Sequence, residues 1–183
     1  MRLEPGGFTE SRFLCSSKSV PLPVPSRSPP IPGKDYRIRP LKRGDRDTVF
    51  HLLAADGWIV PFSEQETVLS WVVQHPEMET FVAHHAASYG SVFAVLTLSH
   101  RPQLRLGGRL GSIDLFVVDP SERRKGVGTD LLAQAMRRAE ALGCKRVELR
   151  LPGSRDDRHE FFEAHGFTST GDELYVRRLN PLR

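Results

Sequence analysis

The chain is poor in cysteine and in long apolar runs. Only Cys15 and Cys144 occur in 183 residues, so we expect no disulfide framework and a reduced, cytoplasmic setting. The longest wholly apolar stretches, such as residues 92–96, span only a few residues. This excludes a membrane-spanning helix, and no secretory signal is recognised at the start. We therefore expect a soluble cytoplasmic protein without a membrane partner.

The positive charge is unevenly distributed. Residues 1–34 contain seven prolines and five basic against two acidic residues, which accounts for three of the four net positive charges. This composition predicts an extended or disordered tail, followed by one folded domain at residues 35–183. Because the domain is close to neutral, with 21 basic and 20 acidic residues, we expect no nucleic-acid partner.

Hydrophobic periodicity after residue 35 predicts an α/β domain with a mixed sheet. A strand–helix–strand unit late in the chain predicts a right-handed parallel crossover, and the strands before it form an antiparallel meander. A single domain of α+β character, with helices flanking the sheet, follows. The predicted elements, in chain order, are a strand at 36–41, a helix opened by Asp45 or Asp47 and ended by Gly57, a helix from about 64 at a Ser63 capping box, strands at 80–84, 91–99 and 110–118, a helix ended by Gly143, a strand at 145–151, a helix at 155–165 and a strand at 173–178.

The most informative segment is the glycine-containing loop at residues 123–129, Arg-Arg-Lys-Gly-Val-Gly-Thr. It stands between a predicted strand and a predicted helix. Gly126 and Gly128 allow close approach of the backbone to an anion, and the first N–H groups of a helix lack intrahelical partners. The spacing matches neither a dinucleotide fingerprint nor a P-loop. The loop is predicted to bind phosphate, although its three cations are also consistent with a solvated charge run.

Two motifs resemble the GCN5-related N-acetyltransferase (GNAT) superfamily. Residues 118–128 resemble its Val-x-Pro-x-x-Arg-x-x-Gly-x-Gly signature, and residues 161–167, Phe-Phe-Glu-Ala-His-Gly-Phe, resemble its closing helix and Gly-Phe pair. The resemblance covers nearly all of residues 35–183. It implies an acetyl-CoA-dependent N-acetyltransferase, without a metal, whose mostly antiparallel sheet has a central parallel strand pair splayed to hold CoA.

The resemblance also implies a set of CoA-binding residues. Backbone N–H groups of residues 124–129 hold the pyrophosphate, loop cations reach the other phosphates, and the splayed strand binds the pantetheine arm like an added strand. The implied residues are Phe116, Val117, Val118, Arg123, Arg124, Lys125, Gly126, Val127, Gly128, Thr129 and Phe162.

For the chemistry, the resemblance points to Asp114 as the base that deprotonates the acceptor amine. An equally weighted alternative is that Asp114 faces solvent or pairs with an arginine of the adjoining loop. The N–H of Val118 or Phe116 is implied as the donor to the thioester carbonyl.

The proton donor is where the sequence departs from the family. Phe162 occupies a position where the family usually has a tyrosine, and a phenyl ring cannot donate a proton. Other donors conceivable from the sequence are His159, His165 and Tyr175, although a lone histidine on a short helix is more often structural.

The acceptor amine is not identified by the sequence. The segment at residues 57–62 offers aromatic walls without a carboxylate, which favours a modest or partly apolar amine, unless Trp58 and Phe62 only form a hydrophobic staple. Three functions remain open: an N-acetyltransferase of a small amine, an acyl-CoA-binding sensor with impaired catalysis, and a modifier of protein or aminoacyl-tRNA amines. A homodimer is permitted but not required.

Overall fold

A five-stranded sheet with helices on both faces forms the framework. The structure, a computed structural model, describes residues 33–87, 91–151 and 157–170. Within those ranges, none of the helices combines the length and apolar character needed to cross a membrane. The elements in chain order are β1 (Tyr36–Pro40), α1 (Arg46–Ala55), α2 (Phe62–Gln74), β2 (Met78–His85), β3 (Val92–Gln103), β4 (Gly108–Val118), α3 (Val127–Ala141), β5 (Cys144–Leu149) and α4 (Asp157–Ala164).

The sheet is mixed, as the sequence predicts. Its strand order is β1-β2-β3-β4-β5. The first three pairings are antiparallel, and β4 pairs with β5 in parallel. In the described part of the chain β1 and β5 are the two edge strands. The strand predicted at residues 173–178, which would make the parallel pair central, lies outside the described residues.

Each face of the sheet has its own apolar core. On the α3/α4 face, Leu131 and Leu132 of α3 and Phe162 of α4 pack against the sheet. On the α1/α2 face, Leu52 of α1 and Leu69 of α2 pack against the other side. Because successive side chains of a strand point to opposite faces, one strand supplies both cores. The sheet therefore separates two apolar cores, one on each face.

The helix α3 is bounded as its sequence predicts. Gly126 is its N-cap residue with φ of +85°, and Gly143 follows its C-cap with φ of +74°. Both values lie in the left-handed region, where glycine has no side-chain penalty. Between them, Leu131 and Ala135 are fully buried, so helical spacing and burial agree.

The start of α2 was predicted incorrectly. The helix begins at Phe62, with Pro61 as N-cap, and no side chain caps it. Ser63 therefore lies inside the first turn rather than opening the helix. Glu66, three residues after Ser63, lies 3.7 Å from the guanidinium of Arg46. Pro61 has φ of −53°, which is fixed by its ring, so the chain enters the helix directly after it.

The loop predicted at residues 101–109 is also shorter than expected. The strand β3 continues to Gln103, and Pro102 pairs with Arg109 of β4. A short helical turn, Leu104–Leu106, then reverses the chain before Gly108. Proline lacks an N–H but is tolerated near the end of a strand, which is why it does not stop this one.

Candidate active site

The glycine-containing loop forms the start of α3. Asp119, just after β4, accepts hydrogen bonds from the N–H and hydroxyl of Ser121 at 2.8 and 2.6 Å and so fixes the turn that leads into the loop. These bonds hold the pKa of Asp119 below its ordinary value. Arg124 and Gly126 have φ of +62° and +85°. These two left-handed residues, separated by Lys125, turn the chain into α3, whose first N–H groups have no intrahelical partners.

The three cations of this loop each face an acidic side chain. The Nε of Arg123 also donates to the carbonyl of Val118 at 2.9 Å. All three cations are at least half exposed, so each ion pair is weak. The loop side chains are thus turned towards protein carboxylates, and its backbone N–H groups carry the local positive potential. The pairs are Arg123 with Asp56 at 3.4 Å, Arg124 with Asp157 at 3.6 Å and Lys125 with Glu122 at 3.1 Å.

Asp114 is the extra residue of a β-bulge. In β3, Leu98 pairs with Ile113 and Thr97 pairs with Leu115, which leaves Asp114 without an opposite residue. The ladder between β4 and β5 ends at Ile113. A bulge bends and twists its strand. From Asp114 to Val118, β4 consequently has a described strand partner on its β3 side only.

The side chain of Asp114 is exposed and lies on the α1/α2 face. Its Oδ1 accepts a hydrogen bond of 2.7 Å from the hydroxyl of Ser112, which points away from the α3/α4 face occupied by Ile113. Among the described residues no arginine forms an ion pair with Asp114, and its side chain faces solvent. Its role as the base stays a prediction. An exposed carboxylate at a strand bulge can accept a proton from a ligand.

Four phenylalanines pack on the α3/α4 face beside the loop. Phe162 is 5% exposed, and its ring centroid lies between 5.2 and 5.7 Å from those of Phe116, Phe161 and Phe167. A Cβ at Gly128 would lie 3.4 Å from the rings of Phe116 and Phe161. Glycine therefore brings the first turn of α3 against this aromatic cluster. The sequence located Phe162 but not the cluster.

Both ring nitrogens of His165 are occupied. Nδ1 lies 2.7 Å from the carbonyl oxygen of Phe161, and Nε2 lies 3.1 Å from the hydroxyl of Thr129. A carbonyl only accepts, so Nδ1 donates and Nε2 of the neutral ring accepts from Thr129. The ring also stacks on Phe161, with centroids 4.3 Å apart. His165 thus joins α4 to α3, and its neutral form has no free N–H. Tyr175 lies outside the described residues.

The segment between α1 and α2 exposes aromatic side chains. Trp58 is 63% and Phe62 is 74% exposed, so they do not form the buried staple considered above. Val60 packs into the core of the α1/α2 face, to which Leu115 of β4 also contributes. These aromatic side chains and Asp114 therefore belong to the same side of the sheet.

A cavity of about 490 Å³, which the sequence did not indicate, lies next to α1. Its wall comes from α1, the facing ends of β2 and β3, and the turn after β4. Both acidic and imidazole groups line it, which distinguishes it from the phosphate loop. The ionisable lining residues are Asp47, His51, His85, Asp119 and Glu122.

Comparisons with known proteins agree with this geometry. A model of the acetyltransferase (GNAT) family matches residues 46–167, whereas no curated protein sequence matches the chain. Similar solved structures include an acetyltransferase of Trypanosoma brucei, which is 23% identical with a TM-score of 0.68 over 79% of this chain and 100% of that one. Another is glucosamine-6-phosphate N-acetyltransferase of Arabidopsis thaliana, 20% identical, TM-score 0.67, over 80% and 100%. A third, AAC(6')-Iy in complex with the bisubstrate analog CoA-S-monomethyl-acetylneamine, is 18% identical with a TM-score of 0.68 over 79% and 99%.

Proposed function

The chain belongs to the acetyltransferase (GNAT) family, and on that premise we propose that it transfers the acetyl group of acetyl-CoA to a primary amine of a small molecule. One observation supports this most strongly. The bulge at Asp114 ends the β4–β5 ladder, and the same strand leads into the left-handed loop that starts α3. A strand edge without a partner among the described residues and a helix start suited to anions therefore lie on one continuous segment. The scarcity of cysteine favours a cytoplasmic setting.

The proposed donor site uses backbone groups first. N–H groups of residues 124–129 bind the pyrophosphate, and the open edge of residues 116–118 binds the amides of the pantetheine arm. Val117 is 4% exposed and packs into the α1/α2 core, so its side chain is not offered to a ligand. Phe162 supports this edge through its ring contact with Phe116.

The proposed chemistry is a direct transfer. The amine nitrogen attacks the thioester carbon, a C–N bond forms, the C–S bond breaks, and the CoA thiolate leaves. Asp114 accepts the proton of the amine, and the N–H of Val118 or Phe116 donates to the thioester carbonyl oxygen. A thiol pKa of about 8.5 makes the thiolate a tolerable leaving group without an acid at Phe162.

The acceptor is proposed to approach from the α1/α2 face. The carboxylate of Asp114 is exposed on that face, and so are the aromatic side chains of Trp58 and Phe62. Apolar walls with few convergent polar groups are typical of small-molecule sites. This arrangement favours an amine with an apolar part over a polycation.

The test measures release of free CoA thiol from acetyl-CoA with a panel of aliphatic, aromatic and polycationic primary amines. We expect amine-dependent release, fastest with partly apolar amines. A peptide panel with free N-termini and lysines is run in parallel, and faster release with peptides would contradict the small-molecule part of the proposal.

A second function is favoured by one specific observation. Phe162 lacks a hydroxyl, and the nearby His165 has no free N–H in its neutral form. The absence of a proton donor at these two positions is what we expect of a domain that binds acyl-CoA but transfers its acyl group poorly. Tight binding of acetyl-CoA without release of CoA thiol on any amine would establish this sensor function and contradict the enzyme.

A further inference from the structure

The charges around the α3 start are not equivalent. Each of the loop cations, Arg123, Arg124 and Lys125, has a carboxylate within 4 Å. Lys34, which precedes β1, also reaches this loop, and its Nζ donates to the carbonyl of Lys125 at 3.3 Å. In the described ranges, no acidic side chain forms an ion pair with Lys34. Among the described residues, Lys34 is therefore a cation that contacts the loop without forming an ion pair.

Lys34 lies beside Tyr36 at the start of α3. The phenol of Tyr36 is buried against α3 and donates to Asp130 in the first turn at 2.5 Å. The hydrogen bond joins β1 to the start of α3. The Nζ of Lys34 lies 5.9 Å from the centre of the Tyr36 ring. A Cβ placed on Gly126 would lie 2.7 Å from this Nζ. The ammonium is thus directly above the left-handed residue that opens the helix.

We propose that Lys34 is a further CoA-binding residue, whose ammonium contacts the pyrophosphate held by the N–H groups of the α3 start. This assignment rests on the proposed function. Phosphate oxygens beside unpartnered helix N–H groups and next to an ammonium form charge-assisted hydrogen bonds. Lys34 thus contributes to CoA binding from the segment before β1, outside the motif of residues 118–128. Residue 34 therefore belongs functionally with the domain rather than with the tail.

The test is calorimetric titration of the full chain with acetyl-CoA, 3′-dephospho-acetyl-CoA and S-acetylpantetheine. For Lys34→Met we expect Kd to rise about tenfold for both of the first two ligands, because both keep the pyrophosphate, and to stay unchanged for S-acetylpantetheine. Lys34→Arg should restore most of the affinity. Lys145→Met, which removes an exposed lysine at the start of β5, is the matched control and should bind like the wild type.

Three results would overturn the assignment. Equal affinity of wild type and Lys34→Met for acetyl-CoA would contradict the assignment of Lys34 to CoA binding. A loss of affinity for acetyl-CoA but not for 3′-dephospho-acetyl-CoA would place the contact at the 3′-phosphate and contradict a contact with the pyrophosphate. A wild-type protein that binds no acetyl-CoA contradicts the proposed function together with this assignment, whereas the first two results leave the proposed function intact.

Discussion

The two faces of the sheet are built differently. On the α3/α4 face, glycines at the helix start and a packed aromatic cluster bring α3, α4 and β4 into contact. On the α1/α2 face, a buried ion pair joins Arg39 to Asp45, while the aromatic side chains of Trp58 and Phe62 stay exposed. The first face is closed and shaped by short motifs. The second leaves large aromatic side chains exposed, and its buried ion pair joins residues only six positions apart in the sequence.

The largest expected effect is on the stability of the α1/α2 face. The Asp45 carboxylate accepts two hydrogen bonds from Arg39, at 2.7 and 2.8 Å, and one from the N–H of Lys42. Burial alone would raise its pKa, but the bonds from Arg39 and Lys42 hold the pKa below its ordinary value. Asp45→Asn leaves Arg39 buried without its counterion. We expect a loss of about 3–5 kcal/mol in the free energy of unfolding, measured by urea denaturation.

The control is Asp47→Asn, which removes an exposed carboxylate paired with Arg46 and should cost less than about 1 kcal/mol. The comparison also predicts that folded Asp45→Asn protein binds acetyl-CoA with wild-type affinity. A parallel loss of affinity would show that the two faces are not independent.

The next effect separates chemistry from donor binding. Asp114→Asn keeps the shape of the bulge but removes the proposed base, so kcat/KM for the best amine should fall about 100-fold or more. The Kd of acetyl-CoA should not change. Glu140→Gln, an exposed position near the end of α3, is the control. Unchanged turnover in Asp114→Asn would remove Asp114 from the mechanism.

The α3/α4 face should respond to pH through His100. Arg109 donates to its Nδ1 at 2.8 Å, and burial together with the Arg109 charge lowers the pKa of His100. Since the folded pKa is below the unfolded value of about 6.5, the stabilisation is complete above that pH and is lost as pH falls through the folded pKa. Its slope is at most about 1.4 kcal/mol per pH unit for one proton.

The measurement is the free energy of unfolding between pH 8 and pH 5 for wild type and His100→Asn. The difference between the two curves isolates His100 from the other histidines. Parallel curves would show that its titration does not contribute.

The smallest effect concerns the missing hydroxyl. Phe162→Tyr introduces the residue that the family usually has at this position. Below pH 8.5 we expect kcat to rise a few-fold, less than tenfold. The gain is small because the CoA thiolate is already a tolerable leaving group, so its protonation by a tyrosine accelerates the reaction only modestly. Phe161→Tyr places the same hydroxyl on a neighbouring ring and is the control. An equal gain in both variants would contradict a specific role for position 162.

The sequence predicted the α3/α4 face well because its signals are local. Gly126, Gly143 and the apolar spacing between them define α3 without reference to other elements, and the parallel pairing of β4 with β5 follows from the crossover. The mixed sheet and the family are confirmed. The assignments of individual residues to CoA or to catalysis, Asp114 and Phe162 among them, stay predictions.

The features that sequence reasoning missed depend on contacts that local propensity does not specify. The sequence predicted Asp45 or Asp47 at the start of α1, and Asp45 is its N-cap residue. The capping hydrogen bond is absent, because the Asp45 carboxylate binds Arg39 and the N–H of Lys42 instead of a helix N–H. The bulge at Asp114 is defined by its pairing with β3, which the sequence does not show. One sequence signal for it was available: Ile113 and Phe116 are three residues apart but pack on the same face, which a regular strand does not allow. The start of α2 was placed at the Ser63 capping box, whereas the helix begins directly after Pro61, and propensity alone does not choose between two such neighbouring positions.

The most direct measurement is a crystal structure of the full chain with CoA bound. The account predicts the pyrophosphate on the N–H groups of residues 124–129, the pantetheine arm along the open edge of residues 114–118, and the thiol within reach of a ligand amine that contacts Asp114. Binding of CoA elsewhere, or an edge of β4 closed by another strand in the complex, would contradict it.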